Sequence, residues 1–170
     1  SHWIEDGKKG AARTVYVFTD PNCPYCNKFW ADARPWVDSG KVVLPHVMAG
    51  ILTPTSAGKA AALLADKNPA GALAAYEQGH VGSTGQSMAT GRVRPLGDAG
   101  LKPLANIPAE IQAKLDHNEG LMASLGLQAT PAMVWRDSSG SVQMRTGAPP
   151  SALPAILGPR RGHALDAAVV

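Results

Sequence analysis

The 170-residue chain contains two cysteines, Cys23 and Cys26, and only Pro24 and Tyr25 separate them. A β-branched and aromatic segment over residues 13–18 precedes the pair, and a helical pattern begins at the first cysteine. A sulfur at a helix N-terminus meets unpaired backbone N–H groups and the positive end of the helix dipole, which favour the thiolate. The dipole contributes at most about 2 kcal/mol, or roughly one and a half pKa units, so hydrogen bonds must supply any further lowering. The spacing therefore predicts a redox-active dithiol.

The two sulfurs should have different roles. We assign Cys23 as the attacking thiolate, because it meets the helix N–H groups and solvent, and Cys26 as the resolving thiol, because it lies a turn further in. Three other interpretations stay open: half of a zinc site, a structural disulfide, and a pair of buried unreactive thiols. No second cysteine pair or nearby histidine pair accompanies the motif, and a disulfide across four residues would constrain little of the unfolded chain. We therefore favour the redox pair.

The composition sets the class of protein. Hydrophobic residues make up 45% of the chain and charged residues 17%, which is typical of a globular domain. The net charge of +3 is too small and too scattered to predict nucleic-acid binding. No apolar stretch approaches the roughly 18 residues that span a bilayer, and no charged-then-apolar leader opens the chain. We expect either a mature form or a cytosolic protein.

The elements around the motif follow an alternating order. Strand patterns at residues 13–18 and 41–48 flank the helix that begins at Cys23, so we expect a parallel pair with a right-handed crossover. Pro35 should kink that helix, and Pro45 should place a bulge or an edge in the second strand. Further on we predict helices over residues 56–66, 70–78 and 107–125, a long loop over 79–103, a hairpin from 132–135 and 141–144, and a closing helix over 151–157. This order predicts a mixed sheet with helices on both faces and an inserted helical block.

Several blocks of sequence resemble one family. The run VYVFTDPNCPYC, residues 15–26, resembles the active-site segment of the DsbC/DsbG family of periplasmic thiol:disulfide interchange proteins. The run FWADARPWVDSGKV, residues 29–42, is similar to the DsbG branch in particular. DHNE at 116–119, with Leu121 and Met122, resembles the family's last insert helix, and ATPA at 129–132 resembles its proline loop. The resemblance covers roughly residues 2–157.

The resemblance implies an α/β architecture, the thioredoxin fold, in which helices flank a mixed central sheet and a helical subdomain is inserted. Residues 13–54 and 127–157 would form the core and residues 55–126 the insertion. Residues 1–12 are expected to be the remnant of a linker, which suggests a fragment of a longer protein. Residues 158–170 form a C-terminal tail that is a candidate for disorder.

The resemblance also implies the site. Pro131 would be a cis proline facing Cys23, and Thr130, Pro131, Pro24 and Tyr25 would contact the substrate. No metal and no organic cofactor are implied beyond a redox-active Cys23–Cys26 disulfide. Many proteins with this fold bury an acid six residues before the first cysteine, where this chain has Val17, so we predict no buried carboxylate that shuttles protons. Asp20 is expected to accept backbone N–H bonds at the turn.

The function implied is that of a periplasmic oxidoreductase that isomerises or reduces non-native disulfides, or reduces cysteine sulfenic acids, on proteins. A membrane reductase of the DsbD type would restore the dithiol. This chain alone should be a monomer, and the full-length protein a homodimer joined through an amino-terminal domain that the chain lacks. Two alternatives stay open: a DsbA-like dithiol oxidase, and a redox-inert or metal-holding binding module.

Overall fold

A mixed five-stranded sheet forms the centre of the molecule, in the spatial order β1-β3-β2-β4-β5. The structure is a computed structural model and describes residues 2–159. The strands are β1 (Trp3–Asp6), β2 (Arg13–Thr19), β3 (Val42–Met48), β4 (Ala132–Arg136) and β5 (Val142–Thr146). Strands β2 and β3 run parallel with Val17 opposite His46, and the other three pairings are antiparallel. The predicted parallel pair and the predicted hairpin are both confirmed.

Six α-helices surround the sheet within residues 2–159. They are α1 (Pro24–Asp32), α2 (Arg34–Asp38), α3 (Ser56–Ala65), α4 (Pro69–Ala89), α5 (Ala109–Ser124) and α6 (Leu153–Leu157). Helices α1 and α2 are separated at Ala33, two residues before Pro35, which confirms the predicted interruption. None of the helices in the described range is both long and apolar enough to cross a membrane.

Alternating residues of β2 divide the apolar core between the two faces of the sheet. Val15 and Val17 pack in a cluster with helices α1, α2 and α6, whereas Phe18 packs on the other side with the end of α5. A further cluster joins the sheet to the inserted helices; its buried members are Ile4, Met48, Ala60, Ala61, Leu63, Leu73, Ile111 and Leu115. The inserted helices thus share core with the sheet.

The structure corrects three sequence predictions. Residues 3–6 form a strand that pairs with β3, where only a linker remnant was expected. Because β3 therefore has a neighbour on each side, Pro45 does not lie on an edge. Part of the predicted loop over residues 79–103 is helical, since α4 continues to Ala89. Residues 160–170, most of the predicted tail, lie outside the described residues.

Candidate dithiol site

The sharp turn between β2 and α1 positions Cys23. Its backbone is extended and it caps α1, so its Sγ accepts a hydrogen bond from the Cys26 backbone N–H at 3.2 Å. The Cys23 backbone N–H in turn donates to the Asp20 carbonyl at 3.0 Å. Pro24 occupies the first helical position, where a missing N–H costs nothing, and it is buried there. The local sequence therefore fixes the first sulfur at the positive end of the helix.

The two thiols have opposite electrostatic environments. A hydrogen bond from the Cys26 thiol, with smaller help from Thr130 and the Cys26 backbone N–H, lowers the pKa of Cys23 to about 7 despite the cost of its burial. Complete burial, together with the Cys23 sulfur, raises the pKa of Cys26 well above its ordinary value. Cys23 is therefore the thiol that ionises near neutral pH, and Cys26 is the one that keeps its proton.

Cys23 is less exposed than the sequence suggests. It retains 3% of its accessible surface and Cys26 retains 2%, so the expectation that Cys23 meets solvent freely is wrong. The burial follows from the proline loop, because the Thr130 carbonyl lies 3.5 Å from the Cys23 sulfur. The Thr130–Pro131 peptide bond is cis, as the resemblance implies.

A groove of about 520 Å³ adjoins the proline loop that covers this sulfur. Tyr25, Thr130 and Pro131 line it, together with Lys28 and Met88, and Tyr25 is 55% exposed. Three of the four predicted substrate-contacting residues therefore lie together, while Pro24 is buried in the first turn of α1. The wall contributed by Met88 comes from the C-terminal part of α4, in the segment that was predicted to be a loop.

Asp20 holds the turn together from inside. Its side chain is fully buried and accepts four hydrogen bonds, from the backbone N–H groups of Asn22, Ile51 and Leu52 and from the Ser56 hydroxyl, all at 2.8–2.9 Å. The expected acceptor role of Asp20 is confirmed, and it extends to the loop after β3. Asp20 therefore ties the cysteine turn to the start of the insertion.

A second buried carboxylate, Glu77, was not predicted. Val17 is buried core as expected, but Glu77 on α4 retains only 1% exposure and lies next to the dithiol turn. Asn27, the residue after Cys26, donates to Glu77 Oε1 at 2.7 Å and to the Glu77 carbonyl at 2.9 Å. A buried carboxylate therefore does lie beside the dithiol turn, on α4 rather than at position 17. The signal was present in the spacing, because Glu77 lies on the helix face that also carries Leu73, Tyr76, His80 and Thr84.

The described residues contain no group of three or more His, Cys, Asp or Glu side chains that could hold a metal ion. Both cysteines are free thiols. The arrangement is chemically suited to thiol–disulfide exchange, since it offers one readily ionised sulfur and one protonated sulfur in the same turn.

Known proteins resemble this chain in both sequence and structure. Residues 3–158 match the family described as a thioredoxin-like domain. The thiol:disulfide interchange protein DsbG of Pseudomonas aeruginosa is 48% identical over 161 residues, which cover 94% of this chain and 57% of that protein. DsbG of Escherichia coli is 43% identical over 149 residues, which cover 88% and 54%. The chain thus spans about half the length of these curated relatives.

Solved structures agree on the architecture. Proteus mirabilis ScsC in a transitional conformation has a TM-score of 0.66 and 23% identity, over 92% of this chain and 71% of that chain. The catalytic domain of the same protein has a TM-score of 0.64 and 22% identity, over 92% and 87%. At such identities the likeness shows the fold alone, which is the predicted thioredoxin fold with an inserted helical subdomain. The chain therefore belongs to the thioredoxin-like family, and in sequence it is similar to the DsbG members of the DsbC/DsbG group.

Proposed function

We propose that this chain is the catalytic part of a periplasmic thiol–disulfide oxidoreductase of the DsbG type. It acts on proteins, isomerising or reducing non-native disulfides or reducing cysteine sulfenic acids. One observation carries the proposal: the pKa of Cys23 is lowered to about 7 while that of Cys26, in the same turn, is raised. A lowered pKa makes Cys23 a nucleophile at neutral pH. A raised pKa keeps Cys26 protonated until the mixed disulfide has formed, as a resolving thiol requires.

The first step uses the Cys23 thiolate. It attacks one sulfur of a substrate disulfide, forming a mixed disulfide, and the other substrate sulfur leaves as a thiolate that takes a proton from water. With a sulfenic acid, the same attack forms the same mixed disulfide and the hydroxyl group leaves as water after gaining a proton. The extended groove lined by Tyr25, Thr130 and Pro131 is where we place the substrate chain.

The second step decides the outcome. If Cys26 loses its proton and attacks Cys23, the mixed disulfide breaks, the substrate thiolate leaves and is protonated, and Cys23–Cys26 becomes a disulfide. The substrate disulfide has then gained two electrons and two protons. If another substrate thiol attacks instead, the substrate disulfide is rearranged and the dithiol is recovered with no net electron transfer. The high pKa of Cys26 slows the first route and gives the second time to occur.

Reduction consumes the dithiol, so a thiol reductant must restore it with two electrons. A membrane reductase of the DsbD type and a homodimeric full-length protein are parts of the proposal that rest on the family resemblance. The periplasmic location rests on the DsbG relatives.

A trapping experiment tests the assigned roles. We expect Cys26→Ala to accumulate a mixed disulfide with a model protein whose disulfides have been scrambled, because Cys23 can attack a substrate disulfide but nothing resolves the bond that forms. The matched Cys23→Ala variant should trap none, and dithiothreitol should release every adduct. Alkylation of Cys23 in the reduced native chain, followed against pH, reports its ionisation with the Cys26 thiol still in place. Adducts on Cys23→Ala alone would reverse the roles, and adducts on neither variant would favour a redox-inert binding module.

The reduction potential separates a reductase or isomerase from an oxidase. We expect the reduction potential of the Cys23–Cys26 pair, measured by equilibration with glutathione, to lie well below that of a strong dithiol oxidant, which is about −120 mV. A value at that level would instead identify a DsbA-like oxidase.

A further inference from the structure

A second cavity lies against the C-terminal part of α4. Its volume is about 590 Å³, which is within the range of ligand-binding pockets. One wall is formed by α4 from Ser83 onward, and the other by residues 92–97, which follow the helix. Two of the described residues that line it are arginines, Arg92 and Arg94, and none of them is acidic. The end of α4 carries only about half a negative charge, so the cavity is positively charged overall.

The two arginines of this cavity have no partner in the protein. Both are exposed, and within residues 2–159 neither guanidinium donates a hydrogen bond or forms an ion pair. Each of the other four arginines in that range donates at least one hydrogen bond to the chain; these are Arg13, Arg34, Arg136 and Arg145. The structure therefore uses its other arginines internally and leaves Arg92 and Arg94 available to an anion from outside.

The helical wall of the cavity also contains a buried hydroxyl group without a partner. Thr84 retains 4% of its surface, and its Oγ1 forms no hydrogen bond within the described residues. The hydroxyls of Ser83, Ser87 and Thr90 differ, because each donates to a carbonyl one turn earlier in the chain. An unpaired buried hydroxyl is unfavourable. This side of the cavity is therefore polar but incomplete in the free chain.

The segment that forms the other wall is fixed at its end. The Leu96 backbone N–H donates to the carbonyl of Asn22, the residue before the first cysteine, at 2.9 Å. The buried Lys59 donates to the Gly97 carbonyl at 2.8 Å. Asp98, the acidic residue that follows, lies 3.5 Å from the Lys59 ammonium and so already has a cationic partner. The cavity is consequently preformed and is attached to the dithiol turn.

The same part of α4 borders both this cavity and the groove beside the proline loop. Met88 lines the groove, and its neighbour Ser87 lines the cavity. A helix with its side chains is about 10–12 Å across, and an extended chain advances about 3.3 Å per residue. A substrate chain that crosses α4 from the groove would therefore reach the cavity with residues about four to six positions from its reacting cysteine.

We propose that this cavity binds an acidic segment of the substrate protein, whose Asp or Glu carboxylates contact Arg92 and Arg94 while Cys23 attacks the oxidised cysteine. The inference rests on the proposed function and deepens it, because it names a class of substrate. Guanidinium groups bind carboxylates through paired, charge-assisted hydrogen bonds. Two such contacts at an exposed site should together change the rate of reaction about tenfold at low salt.

Two matched synthetic peptides test this site. Each peptide holds one cysteine as a mixed disulfide with 2-mercaptoethanol, and at about four to six positions on either side of it carries glutamates in one peptide and glutamines in the other. The reduced chain gives two electrons and two protons to the peptide disulfide, which yields the peptide thiol, 2-mercaptoethanol and a Cys23–Cys26 disulfide. Acid quenching and chromatography of the peptide thiol measure the rate constants.

The ratio of the two rate constants is the readout. In the native chain the glutamate peptide should react about tenfold faster than the glutamine peptide at low salt, and high salt should remove most of this preference. In the double variant Arg92→Gln with Arg94→Gln the ratio should fall close to one.

The matched control removes the same charge from a distant surface. Lys8 and Lys9 are exposed in the turn before β2, whereas the dithiol turn follows the other end of that strand, so Lys8→Gln with Lys9→Gln should keep the native ratio. A native ratio near one, an arginine variant that keeps the native ratio, or an equal fall in the lysine control would overturn the inference. In all three cases both peptides are still reduced and the proposed function stands. If the native chain reduces neither peptide, the proposed function itself fails.

Discussion

The turn after β2 and the inserted helix α4 each bury a carboxylate near the dithiol, and the two are held in opposite ways. Asp20 in the turn accepts four hydrogen bonds, whereas Glu77 in the helix accepts one and leaves an oxygen without a partner. Both side chains are thus almost completely buried, but only Asp20 has hydrogen-bond donors for both of its carboxylate oxygens. A buried carboxylate whose oxygens all accept hydrogen bonds stabilises the structure in its charged form. A buried carboxylate with an oxygen that lacks a donor is more easily protonated.

The largest loss of stability should follow replacement of Asp20, whose carboxylate accepts four hydrogen bonds. We expect Asp20→Asn to lower the free energy of unfolding by about 3 kcal/mol, because an amide NH₂ would face donors that now point at a carboxylate oxygen. Urea unfolding followed by circular dichroism measures this. Asp32→Asn is the matched control, since Asp32 forms a partly exposed pair with Lys28 worth no more than about 1 kcal/mol. Equal losses in the two variants would contradict the distinction between the regions.

Replacing Glu77, whose carboxylate has an oxygen without a hydrogen-bond donor, should instead increase folding stability relative to the native chain as the pH rises. The pKa of Glu77 is raised from 4.5 to about 8 in the folded, reduced protein, so the folded state binds the extra proton between these values. Folding stability due to this group is therefore complete below pH 4.5 and falls as the pH rises toward 8, on the order of 1 kcal/mol per pH unit. Glu77→Gln has no such dependence, so relative to the native chain its stability should improve steadily from pH 5 to pH 8.

Unfolding of the reduced proteins in urea at several pH values measures this trend. The comparison variant is Asp20→Asn, which should be less stable than the native chain throughout the same pH range. A stability difference between Glu77→Gln and the native chain that does not change with pH would show that Glu77 keeps the same protonation state in both folded and unfolded chains.

The two regions also differ in how far their sequences predicted them. The dithiol turn could be predicted because its signals are local: the cysteines, Pro24 and the preceding strand are adjacent in sequence. Strand β1 was missed because it has only four residues, and its pairing with β3 lies about 40 residues away. The C-terminal half of α4 was missed because its glycines lower helix propensity, while tertiary packing through residues such as His80 and Thr84 outweighs that cost.

Glu77 shows why the site itself could be predicted only in part. Its place beside the cysteines depends on α4 packing against α1, a contact between residues 50 positions apart. Its position on the apolar face of a helix was visible, but spacing alone does not say which element covers that face. The roles of the two cysteines and the acceptor role of Asp20 could be predicted from the residues of the turn alone.

The outer face of α4 offers the smallest and most direct test of this account. Gly82 lies in the helix interior with an exposed position, and a Cβ added there would meet no atom within 4 Å. We expect Gly82→Ala to raise the free energy of unfolding by about 0.5–1 kcal/mol, since alanine loses less backbone entropy in a helix than glycine. Thermal and urea unfolding measure this gain.

Gly58 on α3 supplies the contrast within the same insertion. A Cβ there would lie 2.8 Å from the Leu104 carbonyl oxygen and 2.9 Å from Pro103 Cβ, so Gly58→Ala should destabilise the protein although its helix propensity improves equally. If Gly82→Ala were also destabilising, the segment after Gln78 would not be a solvent-facing helix, and the register that turns Glu77 toward Asn27 would lose its support. A gain at Gly82 with a loss at Gly58 would show that the outer face of α4 is open to solvent while α3 is closely packed against residues 103–104.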